Sequence, residues 1–251
     1  MRVSASAQRD REAEAHGYDE AMAPPLASSP VLVRCKGILF DMDGILISSL
    51  GSVERSWTKW ARMREVDPAY ALSMIHGRRA IESVAMMRPD LDPAAELNLI
   101  EDIELGDGEG ITVLPGVKEL LAALPAERWT VVTSATERLA RMRLTASGFT
   151  VPNRLVTAET VNEGKPHPAP YLAGAALLGW APEECVVFED SASGVASGCA
   201  AGCIVVGTTF SHEAEHLECA TYLVRDLGGM VVSVLPGGEG LALRFTPLER
   251  R

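Results

Sequence analysis

Asp41 and Asp43 come directly after three unbroken apolar residues, Ile38, Leu39 and Phe40, and Gly44 comes straight after them. Apolar side chains without alternation mark a strand covered on both faces, the kind found inside a parallel sheet. Such a strand delivers the residues after it to the carboxyl edge of its sheet, where open α/β folds hold ligands. Two carboxylates arriving there together repel unless something cationic neutralises them, and a hard cation with oxygen ligands does so best. Gly44 lets the backbone turn sharply at that point. A second acidic pair, Glu189 and Asp190, comes after the apolar run Cys185-Val186-Val187-Phe188 in the same way.

Two further stretches carry polar groups in telling places. Thr133-Ser134-Ala135-Thr136 ends another apolar run and opens a helix. A hydroxyl and unpaired N–H groups at a helix N-terminus suit a phosphate, although the same residues would serve as an ordinary cap. In Asn162-Glu163-Gly164-Lys165-Pro166-His167-Pro168, Lys165 is pinned between glycine and proline in a non-helical loop, held more firmly than a surface lysine. His167 reads as a structural loop residue.

The elements that must position these groups alternate. Apolar strands are expected at Ile38–Phe40, Trp129–Thr133, Leu155–Thr157, Cys185–Phe188, Ile204–Val206 and Tyr222–Leu223–Val224, with amphipathic helices between them. That alternation implies a parallel sheet wound on both faces. A terminal β-hairpin is expected from Met230–Leu235 and Leu241–Phe245 around Pro236-Gly237-Gly238-Glu239-Gly240. From about Ser52 to Gly110 only helices are expected. Val53, Trp57 and Trp60 recur at helical spacing, and Asp67-Pro68 and Asp92-Pro93 each read as an N-cap with proline in the first turn after it. This block, inserted after the first strand, forms a separate domain over residues 52–112. The core domain then takes residues 31–51 and 113–251, with crossings near Ser49–Gly51 and Val113–Gly116. Residues 1–30 are polar and Ala/Ser-rich, lack the pattern of a secretory signal, and read as a loose extension or partly as a misplaced start codon.

Composition narrows the partners. Lys and Arg number 23 against 34 Asp and Glu, a formal charge of -11, which argues against nucleic acid or an anionic membrane. A small phosphorylated metabolite is compatible, because a bound cation and a few placed positive groups reverse the local field. No apolar run approaches the length of a membrane span. The five cysteines are odd in number and lie in apolar or small-residue surroundings, which fits a reduced, cytoplasmic protein. Cys199 and Cys203, four residues apart, would share a helix face as small core residues.

The stretch from Gly37 to Leu46 resembles the nucleophile motif of the haloacid dehalogenase superfamily, Asp-x-Asp-Gly-Thr/Val-Leu. Ser134, Gly164-Lys165-Pro166 and Phe188-Glu189-Asp190-Ser191 with Gly194 are similar to its second, third and fourth motifs. The four occur in order, each motif placed at or beyond the end of an expected strand, and the resemblance runs from about Lys36 to the hairpin. It implies a Rossmann-like doubly wound parallel sheet with an inserted all-helical cap, and a Mg²⁺-dependent hydrolase of small phosphate monoesters. By that resemblance Asp41 is the nucleophile that forms an aspartyl-phosphate and Asp43 the general acid and base. Ser134 and Lys165 hold the phosphoryl oxygens, with Gly44 and Ala135 also at the substrate. The metal falls to Asp41, the backbone carbonyl of Asp43, and Asp190, with Glu189 beside it. Ile45 stands where the phosphatase pattern usually has Thr, which removes a hydroxyl that could position Asp43.

Ile75-His76-Gly77-Arg78-Arg79 resembles the His-Gly-x-Arg of glycerol-phosphate and 2-deoxysugar-phosphate phosphatases, which would bring His76 and Arg79 to the substrate from the cap. The rival reading is a mutase similar to β-phosphoglucomutase, but the hinge Ser48–Arg55 contains no histidine to restrain Asp43. A non-catalytic binding protein on the same scaffold would be signalled by loss of Asp41, Asp43 or Lys165, and all three are present. A monomer or weak homodimer is expected.

Overall fold

The structure, a computed structural model, describes residues 29–75, 79–106 and 110–249. The expected N-terminal extension therefore lies outside the described residues apart from Ser29 and Pro30. Along the chain come β1 (Val31–Cys35), β2 (Gly37–Phe40), β3 (Ile47–Ser48), α1 (Leu50–Met63), α2 (Pro68–Ser73), α3 (Ala80–Met87), α4 (Pro93–Leu105) and β4 (Thr112–Val113). After them come α5 (Val117–Ala123), β5 (Trp129–Val131), α6 (Glu137–Ala146), α7 (Ala169–Leu178), β6 (Cys185–Glu189), α8 (Ala192–Ala200), β7 (Ile204–Thr208), β8 (Tyr222–Val224), β9 (Val231–Val234) and β10 (Leu241–Phe245).

The main sheet is parallel throughout, in the order β5-β2-β6-β7-β8. Its strands are apolar without alternation because each feeds two cores. Ile38, Phe40, Val186, Phe188 and Val206 face one core with Val117, Leu120 and Leu144. Leu39, Cys185, Val187 and Val205 face the other with Tyr171, Ala175 and Val195. α5 and α6 thus cover one face and α7 and α8 the other, which is the doubly wound arrangement expected.

The second layer of helices, α1 to α4, has a core of its own around Trp57, Trp60, Ala71, Val84 and Ile100. Asp67 caps α2 by accepting from Tyr70 N at 2.9 Å, and Asp92 caps α4 by accepting from Ala94 N at 3.0 Å. Proline occupies the first turn in both, as the sequence suggests. The two crossings lie side by side, tied by the antiparallel pair β3 and β4. On its other side the layer meets α6 through polar contacts from the last turns of α4. No described helix is long and apolar enough to cross a membrane.

Three expectations need correction. Leu155–Thr157 is no strand: only Val156 bridges to Val132, because the chain turns at Thr157, whose carbonyl accepts from Thr160 N at 3.0 Å while Thr160 Oγ1 accepts from Thr157 N at 2.9 Å. The strand expected through Thr133 stops at Val131, with Val132 left in that isolated bridge. Cys199 and Cys203 share no helix face, since α8 ends at Ala200 and Cys203 lies in the turn beyond it. The terminal hairpin is present, but β10 also pairs antiparallel with β1, making a three-stranded sheet in the order β1-β10-β9.

At the second crossing, Gly116 has φ 79° and an added Cβ would lie 2.2 Å from the Leu227 carbonyl oxygen. The obstacle is backbone and cannot rotate away. Gly116→Ala is expected to lower unfolding free energy by more than about 1 kcal/mol, measured by urea denaturation, because strain adds to the steric conflict.

Candidate active site

Asp41 is the first residue after β2, and its backbone N–H continues the ladder to the Phe188 carbonyl at 2.9 Å. Its carboxylate is buried. Lys165 Nζ donates to Asp41 Oδ1 at 2.6 Å, to Glu189 Oε1 at 2.6 Å and to the Val132 carbonyl at 3.1 Å. The loop lysine expected to be held firmly is therefore held by three acceptors. Burial works against its charge, but Asp41 and Glu189 outweigh it and hold the ammonium protonated well above the usual lysine range.

Glu189 is enclosed by donors. Oε1 accepts from Lys165 and from Tyr171 Oη at 2.8 Å; Oε2 accepts from the backbone N–H groups of Asp190 and Ser191 and from Ser191 Oγ. Burial pushes this carboxyl up, yet Lys165 and these bonds hold it below the ordinary value. Asp41 goes the other way. Burial raises it well above the carboxylate range despite Lys165, and the charges of Glu189 and Asp190 add to the rise. Asp190 is pushed up to about 7 by burial and then by Glu189, against the bond that Ser211 Oγ donates to its Oδ2 at 2.5 Å.

Asp41, Glu189 and Asp190 bring carboxylate oxygens within 4.8 Å of one another. Three buried carboxylates against one lysine leave an excess of negative charge, and the donor set is oxygen alone. Both properties fit Mg²⁺. Asp41 Oδ2 and Asp190 Oδ1 carry no hydrogen bond among the described residues, so they are the oxygens available to a cation or a phosphoryl group. Gly44 is what allows the cluster to form: it has φ 87°, and a Cβ there would fall 1.8 Å from Asp190 Oδ2.

Asp43 is held differently. Ser49 Oγ donates to its Oδ1 at 2.5 Å and Arg143 Nη1 to its Oδ2 at 2.8 Å. Sequence reasoning missed both partners. The available signal for Arg143 was an arginine inside the apolar stripe of α6, beside Leu139, Ala140 and Leu144. Burial disfavours its charge, but Asp43 and Glu104 outweigh that and keep it cationic. Ile45 is 1% exposed and belongs to the core. The hydroxyl that a threonine at that position would offer Asp43 comes instead from Ser49.

Ser134 and Ala135 line the cavity, together with Asp41, Asp43, Gly44, Lys165 and Asp190. The helix cap is Thr136, whose Oγ1 accepts from Leu139 N at 3.4 Å, so the Ser134 hydroxyl is not taken up by capping. The cavity encloses about 490 Å³ between the sheet edge and the helical layer. Arg79 lines it, bonded to Glu82 at 2.6 Å and to the Val161 carbonyl at 3.4 Å, and packed against Gly164. His76, with Gly77 and Arg78, lies outside the described residues. His167 is half exposed and pairs with Glu163 at 3.1 Å, a loop residue as read from the sequence.

Comparison with known proteins finds clear relatives. A family model described as haloacid dehalogenase-like hydrolase matches residues 35–202. Hexitol phosphatase A of Escherichia coli (strain K12) is 43% identical over 212 residues, covering 82% of this chain and 98% of that protein. Glycerol-1-phosphate phosphohydrolase 2 of Saccharomyces cerevisiae is 33% identical over 205 residues, covering 77% of this chain and 82% of that protein. A crystal structure of a hydrolase from Pseudomonas syringae shares the fold, with a TM-score of 0.69 at 21% identity, over 76% of this chain and 94% of that one.

Removing the lysine alone would strand two buried carboxylates. Lys165→Met is expected to cost about 3–5 kcal/mol at pH 8, measured by urea denaturation. Without the ammonium, Asp41 rises further above its unfolded value of about 4, and Glu189, which Lys165 holds below it, loses that support and rises too. Stability then is retained below that value and lost as pH rises through the raised ones, so the deficit should shrink toward pH 5.

Proposed function

This chain belongs to the haloacid dehalogenase-like hydrolases and is a phosphoric monoester hydrolase, and we propose that it splits a small polyol or sugar phosphate through an aspartyl-phosphate on Asp41. The observation that carries the proposal is the Lys165 bridge, which fixes Asp41 Oδ1 at the cavity wall and leaves Oδ2 without a hydrogen bond among the described residues. A carboxylate pinned by one oxygen is oriented for attack with the other.

Lys165 and Ser134 hold the phosphoryl oxygens. Lys165 makes room for one by giving up the Val132 carbonyl, the longest of its three bonds. Asp43 passes a proton to the leaving oxygen and later takes one from the water that releases phosphate. Glu189 keeps Lys165 in place; its oxygens already serve five donors, so the metal falls to Asp41, Asp190 and the Asp43 carbonyl. Mg²⁺, when bound there, neutralises charge on nucleophile and substrate together.

The cavity suits a small organic phosphate, with Glu54, Arg79 and His212 among its polar lining. Residues 52–112 act as the cap over this site, and residues 31–51 and 113–251 as the catalytic domain. Hydrolysis is favoured over mutase chemistry by the hinge, where Ser49 and no histidine meets Asp43. None of the five cysteines forms a disulfide, which supports a reduced cytoplasmic setting for a monomer or weak homodimer.

The test is phosphate release from a panel of polyol, glycerol and sugar monophosphates. Wild type should release phosphate with Mg²⁺ and lose activity in EDTA, and Asp41→Asn should fall by roughly a thousandfold or more. Interconversion of a hexose 1-phosphate with its 6-phosphate, without net release, would contradict the proposal.

A further inference from the structure

Asp43 sits in the turn after β2, yet the groups that hold its two oxygens come from elsewhere. One is Ser49, at the crossing into the helical layer, and the other is Arg143 of α6. Arg143 is itself aimed. Its Nε donates to Glu104 Oε1 at 2.7 Å, and its Nη2 pairs with the same carboxylate. Two contacts on one side of a planar guanidinium fix its rotation and leave Nη1 directed at Asp43. Glu104 is 1% exposed and Arg143 5%, so water does not compete for either.

The pair crosses between layers. Glu104 belongs to α4 of the helical layer and Arg143 to α6 beside the sheet. The same two helices are joined by Thr136 Oγ1 donating to Glu101 Oε1 at 2.5 Å and by Arg138 Nη2 donating to Asp102 Oδ1 at 2.8 Å. The Glu104–Arg143 contact therefore exists only while α4 is seated on α6.

We propose that Glu104 is a positioning residue for proton transfer: acting through Arg143, it fixes the Asp43 carboxyl group where it meets the leaving oxygen. The inference rests on the reading of Asp43 as general acid and base. In the first step the Asp43 proton moves to the ester oxygen as the P–O bond breaks and the Asp41 Oδ2–P bond forms, so the alcohol leaves neutral. An alkoxide leaving group needs that proton; a nitrophenolate does not.

The discriminating quantity is the ratio of kcat/KM for glycerol 1-phosphate to that for p-nitrophenyl phosphate. It is compared in wild type, Asp43→Asn, Glu104→Gln and Arg143→Lys, each checked for folding by thermal melting. Glu104→Gln is expected to lower the ratio by at least about tenfold, in the direction that Asp43→Asn sets, because a displaced acid forfeits part of a contribution of roughly 100-fold or more. Arg143→Lys keeps the charge but not the fork, and should lower it as well. A ratio that falls in Asp43→Asn but stays at the wild-type value in Glu104→Gln and Arg143→Lys overturns the inference alone. Equal losses on both esters in those two variants would mark a purely structural pair and overturn it too. An unchanged ratio in Asp43→Asn overturns the acid–base reading and the inference together.

Discussion

The constraint on which this structure depends is charge balance at a buried sheet edge. β2 and β6 are neighbours in parallel register, with Phe40 opposite Phe188 and their rings stacked at 5.2 Å. The residues one step further on, Asp41 and Glu189, must then emerge side by side, about one strand spacing apart. Two carboxylates cannot both stay ionised when buried at that distance without a cation beside them. Lys165 is that cation, brought in on a loop from beyond the sheet. The register that makes the core also makes the charge problem, and solving it orients the Asp41 carboxylate.

The same logic extends outward in steps. Gly44 clears space for Asp190, and Ser211 holds Asp190 from the β7–β8 connection. Arg143 neutralises Asp43, and Glu104 offsets Arg143. Each of these groups is held by a partner from a different element, so the site is tied to β2, β6, α4, α6 and two loops at once. The helical layer keeps its own apolar core and meets α6 through polar groups. Such a contact gives directional register without the large apolar burial that would weld the layers together.

Most of the sheet and the acidic pairs were legible because their signals are local. An apolar run ending in Asp or Glu can be read from ten residues, and Asp67-Pro68 or Asp92-Pro93 from two. What escaped was information separated along the chain. Ser49 and Arg143 meet Asp43 across 6 and 100 residues, and only the fold brings the second of these near. β1 escaped because its partner β10 lies at the far end of the sequence. Leu155–Thr157 has a composition that suits a strand, but the turn from Thr157 to Thr160 takes the backbone away after one bridge. Ile45 offers Asp43 no hydroxyl, but Ser49, four residues further on, donates one.

The central claim is that Asp41 itself takes the phosphoryl group. The direct measurement is rapid acid quench of the Mg²⁺-bound enzyme during turnover, then peptide mass spectrometry. The expected result is a phosphoryl adduct on the peptide carrying Asp41, formed as the alcohol is released, chased by water, and missing from Asp41→Asn. Full turnover with no adduct at any quench time, and with Asp41→Asn still active, would contradict it and mean that water attacks phosphorus directly.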